Sequence, residues 1–362
     1  MVAGIALSFP LWRTRHSYPQ VPVLDVIPAL PQAIDVLFLL AFGAVLGICL
    51  WQIRFKRLAV LWLCAAVFLV VQDQSRFQPW FLEYALLFAV VVFSRSDTSA
   101  LVGCRLIVVA VYFWSGLHKM NTSFAAKVFP WLVSPLAKSG GGSIAEILGA
   151  LAPFMEMGMA VALLFPKTRR IGVIAILAMH VFLLAVLSPW ALGWNNVIGP
   201  WNVAMIGLVP CLFWNSGDSV TVFFTWEQGQ LLRRVVLAFV LILPSLSLVG
   251  LWDTSPSFAL YSGNQMVGAV VLSRDVWLQQ DEKMKAIAES VGDRYRIFLD
   301  DWSVAAMNVP AYPAERVLRR VAKTFCSSSI QDKDVAFILE QPPRWLYRPG
   351  WHRIENAEEL CR

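Results

Sequence analysis

The chain reads as an all-α polytopic membrane bundle of about eight spans followed by a small soluble α+β domain, and three observations carry that expectation. Hydrophobic residues fill 58% of the 362 positions and charged ones 15%, against about 25% charged in an ordinary soluble domain, and mean hydropathy is +0.61. Apolar runs follow one another between residues 34 and 252. Charge then changes abruptly. Residues 253–362 hold 14 of the 30 basic and 15 of the 24 acidic residues, which puts a domain boundary at Trp252.

Residues 1–32 form a proline-rich lead-in. Pro10, Pro19, Pro22, Pro28 and Pro31 forbid a continuous helix, so an extended or re-entrant segment is expected. Met1 to Phe9 lacks a positive n-region and Arg13 and Arg15 follow it, which argues against a cleavable signal peptide and leaves targeting to the first membrane helix. The bundle, residues 33–252, contains apolar runs at about 34–52, 58–72, 80–93, 100–118, 144–166, 171–189, 200–214 and 233–252. The second, third and seventh are shorter than the roughly 20 residues that cross a bilayer unaided, so they need shielding by neighbours or thinned membrane.

Orientation follows from basic loops. Arg54, Lys56 and Arg57 after the first span, Lys167, Arg169 and Arg170 after the fifth, and Arg233 and Arg234 before the last all fall on one side, taken as cytoplasmic. The tail, residues 253–362, is then outside, in what is expected to be a bacterial cytoplasmic membrane. Lys119, Lys127 and Lys138 run against the rule on the opposite face.

Between spans four and five, residues 122–143 are amphipathic or re-entrant and end in Ser139-Gly-Gly-Gly-Ser143; such a segment can cap a cavity or simply anchor at the interface through Trp131. In the tail, 268–273 and 335–339 read as strands, and 281–291 and 313–323 as helices, the second opening on Pro313. No phosphate loop, dinucleotide fingerprint or nucleophile elbow occurs in it.

The net charge of +6 belongs to the membrane part and suits anionic lipid rather than nucleic acid. Six cysteines at 49, 64, 104, 211, 326 and 361 include no C-x-x-C pair, so neither a dithiol nor a zinc site is expected. Cys326 and Cys361 lie in the tail, where a disulfide is open but not deducible.

An ionisable group inside a span is a functional hypothesis, because a charge at the bilayer centre costs about 2.5–3.5 kcal/mol even on insertion scales. The set is short: Glu83, Arg105, Lys119, Glu156 and His180, with Asp73 and Arg76 at a rim. Arg105, Tyr112 and Lys119 are seven apart and share a helix face. Lys119 either snorkels to the interface or, desolvated, acts as a base. Glu156 must be neutral, paired or beside water, with Lys119 and Arg105 as partners, and it can equally pin two helices. His180 reads as a proton relay or as an interhelical hydrogen-bonding group. His118 precedes Lys119 but points about 100° away. Trp194-Asn-Asn196 and Pro200-Trp-Asn202 frame a lid-like connection or an aromatic belt.

Several stretches together resemble the horizontally transferred transmembrane (HTTM) domain of vitamin K-dependent gamma-carboxylases and bacterial relatives. They are Tyr112-Phe-x-x-Gly116-x-x-Lys119-Met-Asn121, then Glu156 with Arg169-Arg170 and His180, then Trp201-Asn202 with Met205, and Leu260-Tyr-Ser-Gly-Asn264. The resemblance spans roughly residues 30–265. It implies that Lys119 deprotonates a reduced naphthoquinone whose oxygenation yields a strong base for carboxylation; in the enzyme reading built on this, Glu156 and Arg105 set the charge state of Lys119 and His180 relays protons. Arg105, Tyr112, His118, Trp201 and Asn202 are then the cofactor-binding candidates. Two departures stand: the stretch ahead reads Gln72-Asp-Gln-Ser75 without a histidine, and the tail is far smaller than the carboxylases' lumenal domain.

Two readings leave the sequence: a quinol-dependent, carboxylase-like membrane enzyme, and a non-catalytic membrane protein that binds a lipid or quinone, or supports export or assembly through a partner outside the membrane.

Overall fold

The computed structural model describes residues 1–14, 17–24, 26–27, 31–52, 55–136, 142–223, 231–326, 334–343 and 350–362. Arg15, Pro28, Arg54, Lys138 and residues 139–141, which figure above, lie outside the described residues. Apolar helices form where the apolar runs lie: α1 (Gln32–Trp51), α2 (Lys56–Gln72), α3 (Pro79–Phe93), α4 (Asp97–His118), α5 (Gly142–Leu164), α6 (Arg169–Leu187), α7 (Ile198–Phe213) and α8 (Leu231–Ser247). Four of them, α1, α4, α5 and α6, are long and apolar enough to cross a membrane, and the others are shorter. The chain is an integral membrane protein.

Helix ends follow local chemistry. Ser96 caps α4 through its side chain, which accepts from the Ser99 N–H. The last run was expected to reach residue 252, but α8 stops at Ser247, where Gly250 takes a left-handed conformation (φ 80°) and Leu251 N–H turns back to Leu246 O. α4 is the axis of the bundle. It packs against α3, α5, α7 and α8, and 72% of its most apolar window is buried, against 22% for the peripheral α1. α1 leaves Leu37, Leu40, Leu50 and Trp51 on the outside, as lipid-facing side chains would be.

The lead-in is more ordered than an extended segment. It starts with two short helices, Val2–Leu7 and Phe9–Trp12, the second with Pro10 in its first turn. Leu11 and Trp12 are fully buried, and Trp12 packs on Trp80 and Phe81 of α3. The buried Arg76 guanidinium holds this hairpin by donating to Leu11 O, Trp12 O and Leu69 O. A rim arginine thus satisfies carbonyls that proline and helix ends leave orphaned.

The tail carries a five-stranded antiparallel sheet of order β2-β3-β1-β4-β5, with β1 Val267–Ser273, β2 Glu289–Val291, β3 Arg294–Phe298, β4 Val335–Gln341 and β5 Trp351–Asn356. Central β1 pairs Val270 with Ile297 of β3 and Phe337 of β4, all fully buried. Short helices α9 (Arg274–Leu278) and α10 (Glu282–Ile287) precede β2; α11 (Leu299–Met307) and α12 (Glu315–Ala322) pack on β1; α13 (Ala357–Cys361) closes the chain. Leu299 and Leu318 crowd Gly268 so closely that a Cβ there would meet them at 3.0 and 3.3 Å. The helix expected over 281–291 ends at Ile287: Gly292 (φ 65°) and Asp293 form a hairpin turn pairing Val291 with Arg294, and this turn chemistry overrides the helical pattern. Cys326 and Cys361 form a disulfide, with Cα atoms 5.7 Å apart.

The tail docks on the α4 end of the bundle through polar clasps. Asn121 Nδ2 donates to Ser262 O as well as to His118 O, Ser255 Oγ to Phe77 O, and Arg316 to Gln74 Oε1. Loop 258–263 settles against the segment after α4, where Gly263 (φ 69°) lies so near Phe124 N that a Cβ would stand 2.8 Å from it.

Candidate functional site: an apolar cavity with a polar wall

α4, α5, α6 and α7 enclose a cavity of about 670 Å³. The segment 124–133, a wide helical turn followed by Phe129–Val133, contributes Phe124, Phe129, Leu132 and Val133 to its lining and so caps it. Met155, Met159, Met179 and Met205 line it with Phe182 and Leu183. Leu148 and Met155 are also half-exposed on the outer surface of α5, so the cavity opens sideways.

Its polar wall is built by helix contact. Gly116 of α4 lies directly against α5, where a Cβ would meet Pro153 O and Met157 N at 2.9 Å. That approach lets Lys119, at the end of α4, reach the middle of α5. Lys119 Nζ lies 2.8 Å from Glu156 Oε2 and 3.1 Å from Oε1, and donates to Ser115 Oγ at 2.6 Å, one turn back. Both charged residues are 8% exposed, so Lys119 does not snorkel.

A second chain crosses from α4 to α6 and α7. Asn202 Nδ2 donates to Ile198 O at 2.8 Å, which aims its Oδ1 at His180 Nδ1, 2.6 Å away. Nδ1 therefore carries the proton, and in the neutral ring Nε2 accepts from the Tyr112 hydroxyl at 2.7 Å. Beside Asn202, Trp201 Nε1 donates to Glu83 Oε2 at 2.7 Å, while the fully buried Glu83 has no hydrogen-bond partner for its Oε1 among the described residues.

Of the eight sequence candidates, Tyr112, Lys119, Glu156, His180, Trp201 and Asn202 line this cavity, whereas Arg105 and His118 do not. Arg105 is not a partner of Glu156. It sits near the opposite end of α4, where it donates to Leu212 O and pairs with Asp218, beside a buried Arg169 that binds Leu163 O, Ser216 O and Asp218 O. Seven-residue spacing shares a face but spans about two turns each step, so one stripe serves both ends of the bundle. His118 is fully buried away from the cavity: Asn264 Nδ2 donates to its Nδ1 and its Nε2 donates to Ser247 Oγ, which joins α4, α8 and the start of the tail. Ser115 was not among the candidates, and Glu83, one of the ionisable groups inside the spans, was given no role. The i, i+4 spacing of Ser115 and Lys119 was the available signal for the first; nothing in the sequence pairs Glu83 with Trp201. Among the described residues no cluster of His, Cys, Asp or Glu is arranged to hold a metal ion.

A comparison with known families decides the earlier resemblance. Residues 97–196 match the family described as methylamine utilisation protein MauE. That stretch carries Tyr112, Ser115, Lys119, Glu156 and His180, and the match is to a membrane family other than the horizontally transferred transmembrane domain of the gamma-carboxylases. The carboxylase resemblance is therefore withdrawn. Its carriers have packing roles that require no quinol chemistry: Gly116 admits α5, Asn121 caps the following segment by accepting from Phe124 N–H, and Asn264 clasps His118. No curated protein and no solved structure matches the chain.

Proposed function

We propose that the bundle binds a membrane-soluble amphiphile with an oxygen-bearing head, its tail among the methionines of the cavity and its head against Lys119, Glu156 and Tyr112. The observation that carries this reading is the coincidence of a laterally open apolar cavity of about 670 Å³ with a buried ion pair and a Tyr–His–Asn chain on its wall. Apolar cavities with a few convergent polar groups are the usual form of ligand sites. Methionine suits a flexible tail because its side chain adapts to irregular shapes. Lys119 and Tyr112 offer the polar contacts, and His180, held in place by Asn202, can exchange a proton with the Tyr112 hydroxyl at the cavity wall, which favours a head that takes up and releases protons, such as that of a prenylated quinone, over a phospholipid.

A tail outside the cytoplasm is supported by the basic residues Lys56, Arg57, Lys167 and Arg170 at the end opposite it, in keeping with the positive-inside rule, and by the Cys326–Cys361 disulfide, a bond that persists in such compartments. A partner protein on that side would meet the sheet domain. The family's description ties its members to methylamine utilisation; a small ammonium ion is not what this cavity favours, since its carboxylate, Glu156, is already neutralised by Lys119.

The test is native mass spectrometry of the full-length protein released from nanodiscs containing either a prenylated naphthoquinone or only phospholipid. The reading expects one retained quinone per protein, lost in Met159→Trp. Quinone retained no better than bulk phospholipid, or unaffected by filling the cavity, would overturn it.

A further inference from the structure

A second cavity, of about 490 Å³, lies between the bundle and the tail, and it goes beyond the reading above. Trp131, Trp194 and Asn195 line it from the bundle, Asp300, Ala311 and Glu340 from the tail. It shares Ile198, Trp201, Leu260 and Tyr261 with the membrane cavity, so a partition one side chain thick separates the two.

Its chemistry is unlike that of the membrane cavity. Trp131 meets Trp194 nearly at right angles (87°) with ring centroids 6.2 Å apart, and Tyr261 lies against Trp131, also at 6.2 Å. All three rings are only half-buried, so they present aromatic surface to the cavity. Two residues that shape this corner, Asn195 (φ 50°) and Tyr261 (φ 47°), are held in left-handed conformations uncommon outside glycine, a cost that clusters at ligand clamps. Asp300 and Glu340 supply two carboxylates, against one solvated cation, Lys127.

We propose that this vestibule is a binding site for an organic ammonium group, held at the Trp131–Trp194–Tyr261 corner with Asp300 as its counter-charge. Aromatic faces attract cations through the negative face of the ring, and the attraction grows as the site is dried. Asp300 Oδ1 accepts from Ala311 N–H at 3.0 Å, which orients the carboxyl at the rim of α11. Burial pushes the Asp300 carboxyl up to about 7. The groups around it that carry or can carry charge are Asp301 and Tyr18 near the carboxyl, and Glu340 and Lys127 across the cavity. Affinity for a cation therefore rises as pH passes upward through about 7, when Asp300 becomes charged.

The experiment is saturation-transfer NMR on the full-length protein in a maltoside detergent, which carries no ammonium group. The probes are choline and its uncharged isostere 3,3-dimethyl-1-butanol. The proposal expects saturable choline binding at least about tenfold tighter than the isostere, weakened by a similar factor in Trp131→Leu, retained in part by Trp131→Phe, and stripped of its rise near pH 7 in Asp300→Asn. Neither Trp131 nor Asp300 lines the membrane cavity, so quinone retention stays unchanged in the same variants. Equal binding of choline and isostere, no saturable choline binding by folded protein, or choline binding indifferent to Trp131 would each overturn it.

Discussion

Lys119 and Glu156 join the end of α4 to the middle of α5 through a contact of 2.8 Å, made where Gly116 lets the two helices touch. Both side chains are about a tenth exposed, at 10% and 11%. Breaking such a pair leaves a buried charge and costs about 3–5 kcal/mol, whereas replacing both partners with apolar groups is often neutral. Lys119→Met and Glu156→Met should each lower the melting temperature in detergent, and the double variant should regain most of the loss. Additive losses would mean that the two charges do not act as a pair.

Gly116→Val tests the helix contact that sets the site. Its side chain would be driven into Pro153 O and Met157 N, and overpacking of this kind costs about 1–3 kcal/mol. The variant should melt early and lose ligand retention even though Lys119 and Glu156 are intact. Gly158→Val on α5, which meets nothing within 4 Å, is the control and should do neither.

Tyr112→Phe removes one hydroxyl from the chain that ends at Asn202. The lost hydrogen bond is worth about 1 kcal/mol, so the fold should survive. Ligand retention and its pH dependence should change, because His180 Nε2 loses the donor that fixes its neutral form. A variant identical to the parent in both would remove the chain from the site.

In the tail, Asp300 and Glu315 oppose one another in their pH dependence. Burial raises Asp300 from 3.8 to about 7, so the folded state holds its proton longer than the unfolded chain does, and stability declines as pH rises from about 4 to about 7. Glu315 is held below its ordinary value by Arg353 and Arg319 despite some burial, so its contribution is present above about 4.5 and is lost as pH falls through its lowered value. Hydrogen exchange of the α11 amides should therefore quicken between pH 4 and 7 beyond the intrinsic rate, and Asp300→Asn should abolish that excess.

Reducing Cys326–Cys361 opens a loop that closes across 35 positions, worth about 2–4 kcal/mol in the chain-entropy account. α13 and β5 should exchange faster after reduction, while α4 to α7 stay unchanged. Equal exchange in both redox states would show that the capping box at Asn356 and Glu359 suffices to hold the C-terminus.

The membrane helices were legible because a bilayer helix writes its length into an unbroken apolar run, and the four helices long enough to cross lie where such runs predict them. Cys326 and Cys361 could be seen as candidates but not paired, since pairing depends on how the tail folds. β2 was misread as helix because a two-residue turn at Gly292 outweighs a weak periodicity. In the site, side chains that must be buried and charged stood out by type, and six of the eight candidates line one cavity. Arg105 and His118 stood out equally, yet their partners, Asp218 and Asn264, lie more than a hundred residues away and sequence spacing cannot show them. The family was misassigned because the short motifs around Gly116 and Asn264 record helix contact and loop capping, which carry no chemistry of their own.

The most direct measurement of the central claim is photolabelling of the protein in nanodiscs with a prenylated quinone that carries a diazirine on its tail, followed by peptide mapping. The account predicts labels concentrated on Met159, Met179 and Phe182, competed by unlabelled quinone and lost in Ala152→Phe. Labels spread over the outer faces of α1 and α5, with no competition, would contradict it.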